Sequence, residues 1–213
     1  MRHLIFEAED SFEFEPGQFI SVKGHRGDHV VTRAYSIASP PDGKRFELCL
    51  NRVREGIFSP YLFELPVGAC LDVRGPLGSF TLRRPVSDSL MVATGTGIAP
   101  IRSILKSVLP LDRQHRFTLL FGVRYFESVL FRAEFEALAQ EYPNFRFWPT
   151  LSRPGPGWTG MSGHVQKHLE PALQGRCDMD VYICGLREMV DDVRNQLKSL
   201  GFDRKRVIYE RYD

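Results

Sequence analysis

The sequence predicts an antiparallel β-barrel over residues 1–84 followed by a doubly wound parallel α/β unit over residues 85–213. Three observations predict it. Up to about Leu82 the chain runs in short alternating stretches punctuated by Pro and Gly, as half-buried antiparallel strands do. Beyond the polar stretch Arg83 to Ser89, apolar strand-like runs alternate with helical stretches, the rhythm of a parallel sheet with crossover helices. The first of those later strands passes through two closely spaced glycines directly into a helix.

The barrel strands are QFISV (18–22), RAYSIA (33–38), RFELCLNRV (45–53), CLDVRG (70–75) and SFTLRR (79–84), separated by EPG, GHRGD, SPPDGK and LPVG. In the second unit the strands are LMVAT (90–94), FTLLFGV (117–123), FRFWPTLS (145–152), DVYICG (180–185) and RVIYE (206–210). Between them lie the helical stretches APIRSILKSVL (99–109), VLFRAEFEALAQEY (129–142), GHVQKHLEPAL (163–173) and REMVDDVRNQLKSLG (187–201). No internal repeat or low-complexity segment interrupts either half.

Composition narrows the function. With 28 basic against 26 acidic residues the formal charge is only +2, which does not suggest a nucleic-acid binder, whose affinity comes from clustered cations. The four cysteines, Cys49, Cys70, Cys177 and Cys184, form no CxxC pair or His/Cys group, so protein-bound zinc or an iron–sulfur cluster is not expected. The first residues, MRHLIFEAED, turn acidic too early for a signal peptide, and no apolar run reaches the ~18–20 residues of a membrane helix. A reduced, cytoplasmic protein is expected.

Several segments carry chemistry. Gly95-Thr96-Gly97-Ile98-Ala99-Pro100 joins a strand to a helix; its glycines let the backbone approach a ligand, and the helix start offers unpaired N–H groups to a pyrophosphate. Pro100 suits a first helical turn and stands where the dinucleotide fingerprint has its third glycine, and a plain strand-to-helix turn is the competing reading. Arg33-Ala34-Tyr35-Ser36-Ile37 displays a cation and a ring on one strand face and a hydroxyl on the other, although an exposed arginine and a half-buried tyrosine are commoner than a site. Gly56-Ile57-Phe58-Ser59 is a small turn opening a helix-like run, suited to an anion, and Gly75 to Phe80 make a rigid turn at a strand end.

Taken in order, PGQF (16–19), RAYS (33–36), GIFS (56–59), GPLGSF (75–80), GTGIAP (95–100), YICGLREM (182–189) and the terminal Glu210-Arg211-Tyr212 resemble the ferredoxin reductase-like flavoprotein superfamily over nearly the whole chain. The resemblance implies a Greek-key, FAD-binding barrel and an NAD(P)-binding domain. It implies that Arg33 pairs with the flavin phosphates, Tyr35 packs along the isoalloxazine, and Ser36 hydrogen-bonds at flavin N5. Ala34, Asn51, Gly56, Ile57, Phe58 and Ser59 complete the flavin contacts, with Gly56 and Ser59 at the pyrophosphate. Gly95, Thr96, Gly97, Ile98, Pro100, Gly185 and Met189 would hold the nicotinamide nucleotide, with Thr96 between nicotinamide and flavin. Cys184, otherwise read as a small buried apolar residue, would touch the nicotinamide near its reactive carbon. Tyr212 would cover one flavin face until nicotinamide displaces it, and Glu210 would relay protons through Ser36. The catalytic set is thus Ser36, Cys184, Glu210 and Tyr212. Hydride transfer needs the two rings held at near-attack distance, ~3–3.5 Å, which is positioning work.

The chain departs from the pattern in three places. Asp213 follows the tyrosine on which plant-type members end, and members carry another strand before the segment at which this sequence starts, so either the start is trimmed or the barrel closes with fewer strand residues, and both are expected to leave a strand edge exposed. No cysteine-rich module follows Tyr212, so the acceptor is expected to be a separate carrier, a ferredoxin or flavodoxin, or an oxygenase component. Lys44, Arg45, Arg52, Arg54, Arg83 and Arg84 are candidate docking cations for an acidic carrier, or simply a solvated surface. The nucleotide is NADPH or NADH: Arg124 and the pair Ser152-Arg153 suit a 2′-phosphate, and no acid stands at Ser128, although Glu127 is adjacent. The competing functions are a free-flavin reductase, whose relatives share GWTG (157–160), and a non-catalytic electron-relay subunit, against which GTGIAP, Cys184 and Glu210 argue.

Overall fold

The computed structural model describes residues 1–26, 29–53, 56 and 58–212; Ile57 and Arg54, both singled out above, lie outside the described residues. In the first half, β2 (Phe19–Arg26) runs antiparallel between β3 (His29–Ser36) and β5 (Val73–Leu77). A second antiparallel ribbon pairs β1 (Arg2–Glu7) with β4 (Arg45–Leu50), and an Ile37–Leu48 bridge joins the two sheets. Alternation sets the inner face: Ile20 and Val22 of β2 meet Phe46, Leu48 and Leu50 of β4 in one core. The short helix α1 (Phe58–Glu64) caps it by inserting Phe58 and Leu62, one turn apart.

The second half is a six-stranded parallel sheet. Its strands are β6 (Ser89–Thr94), β7 (Phe117–Val123), β8 (Phe145–Leu151), the two-residue β9 (Met161–Ser162), β10 (Asp180–Leu186) and β11 (Val207–Tyr212). Their spatial order is β11-β10-β6-β7-β8-β9. Because β6 and β10 are buried on both faces, alternate residues serve different layers. Met91, Ala93, Tyr182 and Cys184 face the helices α2 (Ile98–Val108) and α3 (Arg132–Glu141). Leu90, Val92, Val181 and Ile183 face α4 (Leu169–Leu173) and α5 (Arg187–Ser199). Each such aliphatic side chain withdrawn from water contributes about 1.5–3 kcal/mol before the cost of ordering the chain.

From β6 the chain moves outward through β7, β8 and β9, then returns to lay β10 on the other side of β6. That reversal opens a crevice at the carboxyl ends of β6 and β10, where doubly wound sheets bind their ligands.

Two expectations need correction. SFTLRR (79–84) is not a strand: Gly78, at φ +98°, turns the chain off the sheet, and Phe80 is buried in the core of the parallel sheet instead. The Arg83 N–H donates to the Tyr182 hydroxyl at 2.9 Å rather than to a ladder partner. The stretch 163–173 is a single turn over Val165–His168 followed by the short α4, not one continuous helix.

Candidate active site

At the crevice, strand β6 ends at Thr94, and Gly95–Gly97 form one 3₁₀ turn that leads straight into α2. Gly97 has no room for a side chain: a Cβ would stand 2.3 Å from the Cys184 carbonyl oxygen. Gly185, at φ +148°, is held just as closely, since its Cβ would stand 2.3 Å from Thr94 Oγ1. The two glycines therefore let the ends of β6 and β10 close on each other. Gly95 is the opposite case, with φ +55° and nothing within 4 Å of where a Cβ would be, so its backbone borders open space. Thr94 Oγ1 is buried without a hydrogen-bond partner, which is costly unless a ligand group satisfies it. Ile98 and Pro100 are buried in the first turn of α2, Thr96 is half-buried at the turn, and Met189 is buried beneath Gly185.

The last strand brings the four expected catalytic residues together. Cys184 of β10 and Glu210 of β11 are register partners, and Tyr212 follows Glu210 by two, on the same side of the strand. From the barrel, Ser36 at the end of β3 reaches this cluster: its hydroxyl donates to Glu210 Oε1 at 3.2 Å, and the Tyr212 hydroxyl donates to Ser36 Oγ at 2.5 Å. Burial raises the Glu210 carboxyl above its ordinary value, with the Ser36 hydrogen bond pulling the other way. Burial, reinforced by the charge of Glu210, pushes the Cys184 thiol well up, so it stays neutral near pH 7. Burial does the same to the Tyr212 hydroxyl, with Cys184 and Glu210 adding to it. The cluster is a chain of hydroxyl and thiol groups ending on a carboxyl group whose burial raises it above its ordinary value.

The remaining expected flavin contacts lie on the barrel half. Arg33 is exposed, with Nη1 donating to the Thr32 carbonyl at 2.9 Å, and Ala34 beside it is exposed as well. Tyr35 is half-buried; burial pushes its hydroxyl up to about 12, with the Arg33 charge opposing. Asn51 is exposed just past β4. The Gly56 N–H donates to the Val53 carbonyl at 3.0 Å, and buried Ser59 Oγ accepts from the Val53 N–H at 2.9 Å, so Ser59 braces the turn. Phe58 packs in the barrel core under Gly24.

At the other flank, the carboxyl ends of β7 and β8 carry the two arginines expected at a 2′-phosphate. The Arg153 N–H donates to the Arg124 carbonyl at 2.9 Å, and Ser152 N–H to the Val123 carbonyl at 2.9 Å, so the pairing continues past the strands. Both arginine side chains are exposed and Ser152 is half-buried. Trp158 of the GWTG segment folds onto Phe126, with ring centroids 5.7 Å apart.

Sequence reasoning missed Arg102. It lies on α2 at 3% exposure, donating through Nε and Nη2 to both Glu134 oxygens at 2.7 Å each. Its Nη1 donates to the Ala38 carbonyl at 2.7 Å and to Glu47 Oε2 at 2.6 Å, and the guanidinium lies over the Phe131 ring at 4.3 Å. Burial raises the Glu47 and Glu134 carboxyls, yet Arg102, aided by His3 at Glu47 and Lys106 at Glu134, outweighs it and holds both below the usual carboxylate range. Arg102 is the buried member of this network and its two carboxylate partners are partly exposed, so losing the arginine disrupts more contacts than losing either glutamate. The available signal was a lone arginine inside the otherwise apolar run APIRSIL.

A cleft of about 480 Å³ lies elsewhere, bordered by Ser89, Phe117 and Arg176 at the amino-terminal ends of β6 and β7. Parallel sheets put their ligand chemistry at the carboxyl ends, and the cluster of Ser36, Cys184, Glu210 and Tyr212 is there. The residues present are compatible with a phosphate-bearing ligand: Thr94 Oγ1 is an orphaned buried hydroxyl at the crevice, the space at Gly95 is open, and Arg33, Arg124 and Arg153 are exposed cations. Among the described residues no helix is long and apolar enough to cross a membrane.

Comparison with known proteins agrees with this architecture. An oxidoreductase FAD-binding domain model matches residues 2–82 and an oxidoreductase NAD-binding domain model matches residues 91–195. Ferredoxin–NADP reductase B of Sorangium cellulosum is 44% identical over an alignment of length 225, covering 100% of this chain and 92% of that protein. The toluate 1,2-dioxygenase electron transfer component of Pseudomonas putida is 28% identical over 93% of this chain, which spans 59% of that longer protein. Among solved structures, an Amycolatopsis cytochrome P450 reductase superposes with a TM-score of 0.89 at 27% identity, covering 98% of this chain and 64% of that one. A ferredoxin NADP⁺ reductase from Neisseria gonorrhoeae with bound FAD and NADP gives a TM-score of 0.83 at 26% identity, covering 98% and 91%. With both domain models in order and the crevice at their junction, this chain belongs to the ferredoxin reductase-like family of FAD- and NAD(P)-binding oxidoreductases.

Proposed function

We propose that the chain is an NAD(P)H reductase in which residues 1–84 hold FAD, residues 85–213 hold the nicotinamide nucleotide, and a separate protein carries the electrons away. The observation that carries this reading is the meeting of Ser36 from the barrel with Glu210, Tyr212 and Cys184 from the parallel sheet, beside the Gly95–Gly97 turn. Bound FAD would supply the hydride-accepting and electron-passing chemistry, and the residues of this chain would hold it against the nicotinamide. Ser36 would orient the flavin edge through its hydroxyl, and half-buried Glu210, its carboxyl raised by burial, would relay a proton between solvent and the flavin edge through Ser36. Cys184 acts as a neutral thiol that packs against the nicotinamide ring rather than as a nucleophile. Tyr212 lies over the site from the last strand and gives way when nicotinamide enters.

Arg33 pairs with the FAD phosphates, while Gly56 and Ser59 shape the turn that receives the pyrophosphate. The backbone pairing that keeps Arg124 beside Arg153 favours NADPH over NADH, because only NADPH offers a 2′-phosphate to two exposed guanidiniums. The relatives' names point to a ferredoxin-type carrier or an oxygenase component as acceptor. Four free cysteines fit a reducing compartment, the cytoplasm. The test is to load the purified protein with FAD, supply NADPH, and follow reduction of ferredoxin, flavodoxin and free flavin in parallel. Carrier reduction with FAD retained through gel filtration supports the reading. Reduction of free flavin alone, with no flavin retained, would replace it with a free-flavin reductase.

A further inference from the structure

The flavin strand and the nicotinamide turn sit on different halves of the chain, so something must fix their separation. Ser36 ends β3; Ile37 stays in the barrel core and bridges Leu48 of β4, and Ala38 and Ser39 then lie against α2. Both carbonyls at that junction are taken up by adjacent residues of α2. Arg102 Nη1 donates to the Ala38 carbonyl at 2.7 Å, and Ser103 Oγ donates to the Ser39 carbonyl at 2.6 Å. Helix α2 starts immediately after the Gly95–Gly97 turn, and that turn is wedged against Cys184 and Gly185. A short, buried path therefore connects Ser36 to Cys184 through Arg102 and Ser103.

The path is stiff for a stated reason. The guanidinium is planar, and Glu134 grips one edge bidentately while Glu47 and Ala38 hold the other. Glu47 belongs to β4, whose neighbour Leu48 bridges Ile37, and the Glu47 carbonyl accepts from the Ala38 N–H at 2.7 Å. Rotating α2 relative to the barrel would break the Ala38 and Glu47 bonds together, while Glu134, on α3 of the same half, would keep its grip on the other edge of the guanidinium.

We infer that Arg102, with Ser103, is a positioning residue that sets the distance and angle between the flavin-side strand and the nicotinamide-side turn, and so governs the hydride step without touching either cofactor. The inference rests on the proposed NAD(P)H-to-FAD reaction. An arginine that served stability alone would affect melting but not the geometry of the bound pair. Misplacement of about 1 Å at a reacting pair can cost about 10²-fold in rate, so a modest slip of α2 is readable.

The test compares wild type with Arg102→Lys, Glu47→Gln and Ser103→Ala, each loaded with FAD. Arg102→Lys keeps the charge but not the fork, and the other two remove single links at lower risk to folding. We measure dissociation constants for FAD and NADPH, the limiting rate of flavin reduction in stopped flow, the long-wavelength charge-transfer absorbance of the bound pair, and amide hydrogen exchange over residues 36–39 of the ligand-free protein. The expected result is a limiting rate lowered about tenfold in Arg102→Lys and severalfold in the others. Charge-transfer absorbance falls in parallel, exchange over 36–39 is faster, and both dissociation constants stay within about twofold. If Arg102→Lys does not fold, the other two variants decide on the same measures. Wild-type limiting rates and charge-transfer absorbance in every folded variant would overturn the inference. Failure of the wild type itself to pass electrons from NADPH to FAD would overturn the functional reading instead, which keeps the two failures apart.

Discussion

The Tyr212 hydroxyl donates to Ser36 Oγ at 2.5 Å across 176 residues of sequence, and Ser36 in turn donates to Glu210 Oε1. The end of the last sheet strand is thereby fastened to the end of a barrel strand. The Ser36 proton is given to Glu210 and one of its lone pairs takes the Tyr212 hydroxyl, so a ligand atom that accepts from the Ser36 hydroxyl must displace Glu210.

The first prediction concerns the reacting groups. Ser36→Ala and Cys184→Ala are expected to lower the limiting rate of flavin reduction about tenfold, ~1.4 kcal/mol in the barrier, while NADPH affinity changes little. Both side chains sit at the crevice and away from the exposed arginines that would hold the nucleotide's far end. Stopped-flow traces over a range of NADPH concentrations separate the two quantities, and a raised dissociation constant at an unchanged limiting rate would remove both residues from the hydride path.

A second prediction follows from Glu210. Burial raises its carboxyl, so the folded protein holds this proton more tightly than the unfolded chain. Stability therefore falls as pH rises from the ordinary carboxylate range through the raised value, and is level above it. Glu210→Gln removes that loss. Thermal melting of the ligand-free proteins from about pH 4 to 8 should show the variant gaining on wild type with rising pH and then running parallel. A gap that is the same at every pH would show that Glu210 is not desolvated as described.

Nucleotide choice gives the third. Arg124→Ala and Arg153→Ala should each weaken NADPH by about tenfold or more, as loss of one charge-assisted contact does, and leave NADH nearly unchanged. Fluorescence titration with both nucleotides reads this directly. Equal losses would mean that the arginines do not address the 2′-phosphate.

For the barrel, Arg33→Ala should lower FAD affinity by roughly ten- to a hundredfold, ~1.5–3 kcal/mol, with unchanged folding, because Arg33 is exposed and its side chain donates to the carbonyl of the adjacent Thr32. Circular dichroism checks the fold and flavin fluorescence the binding. An unchanged FAD affinity would return Arg33 to the solvated surface.

Much of this was legible in the sequence because it depends on local pattern. The two glycines after LMVAT, the alternation in QFISV and the strand DVYICG each carry their own signal, and the order of motifs placed Ser36, Cys184, Glu210 and Tyr212 in one site. What was not legible depends on long-range contact. Phe80 alternates like a strand residue, and only the neighbouring sheet draws it away from the barrel. Arg102 looks misplaced in an apolar helix until Glu134, Glu47 and the Ala38 carbonyl arrive from three other segments. A two-residue strand such as β9 has too few side chains to show a period at all.

The most direct test of the central claim is an anaerobic titration of the FAD-loaded protein with NADPH, followed by its visible absorbance. The purified chain should retain FAD as a yellow complex, and NADPH should bleach the flavin band in stoichiometric amount, with Ser36→Ala bleaching more slowly to the same end point. A chain that binds no FAD, or a yellow complex whose flavin band persists in excess NADPH and NADH alike, would contradict the account.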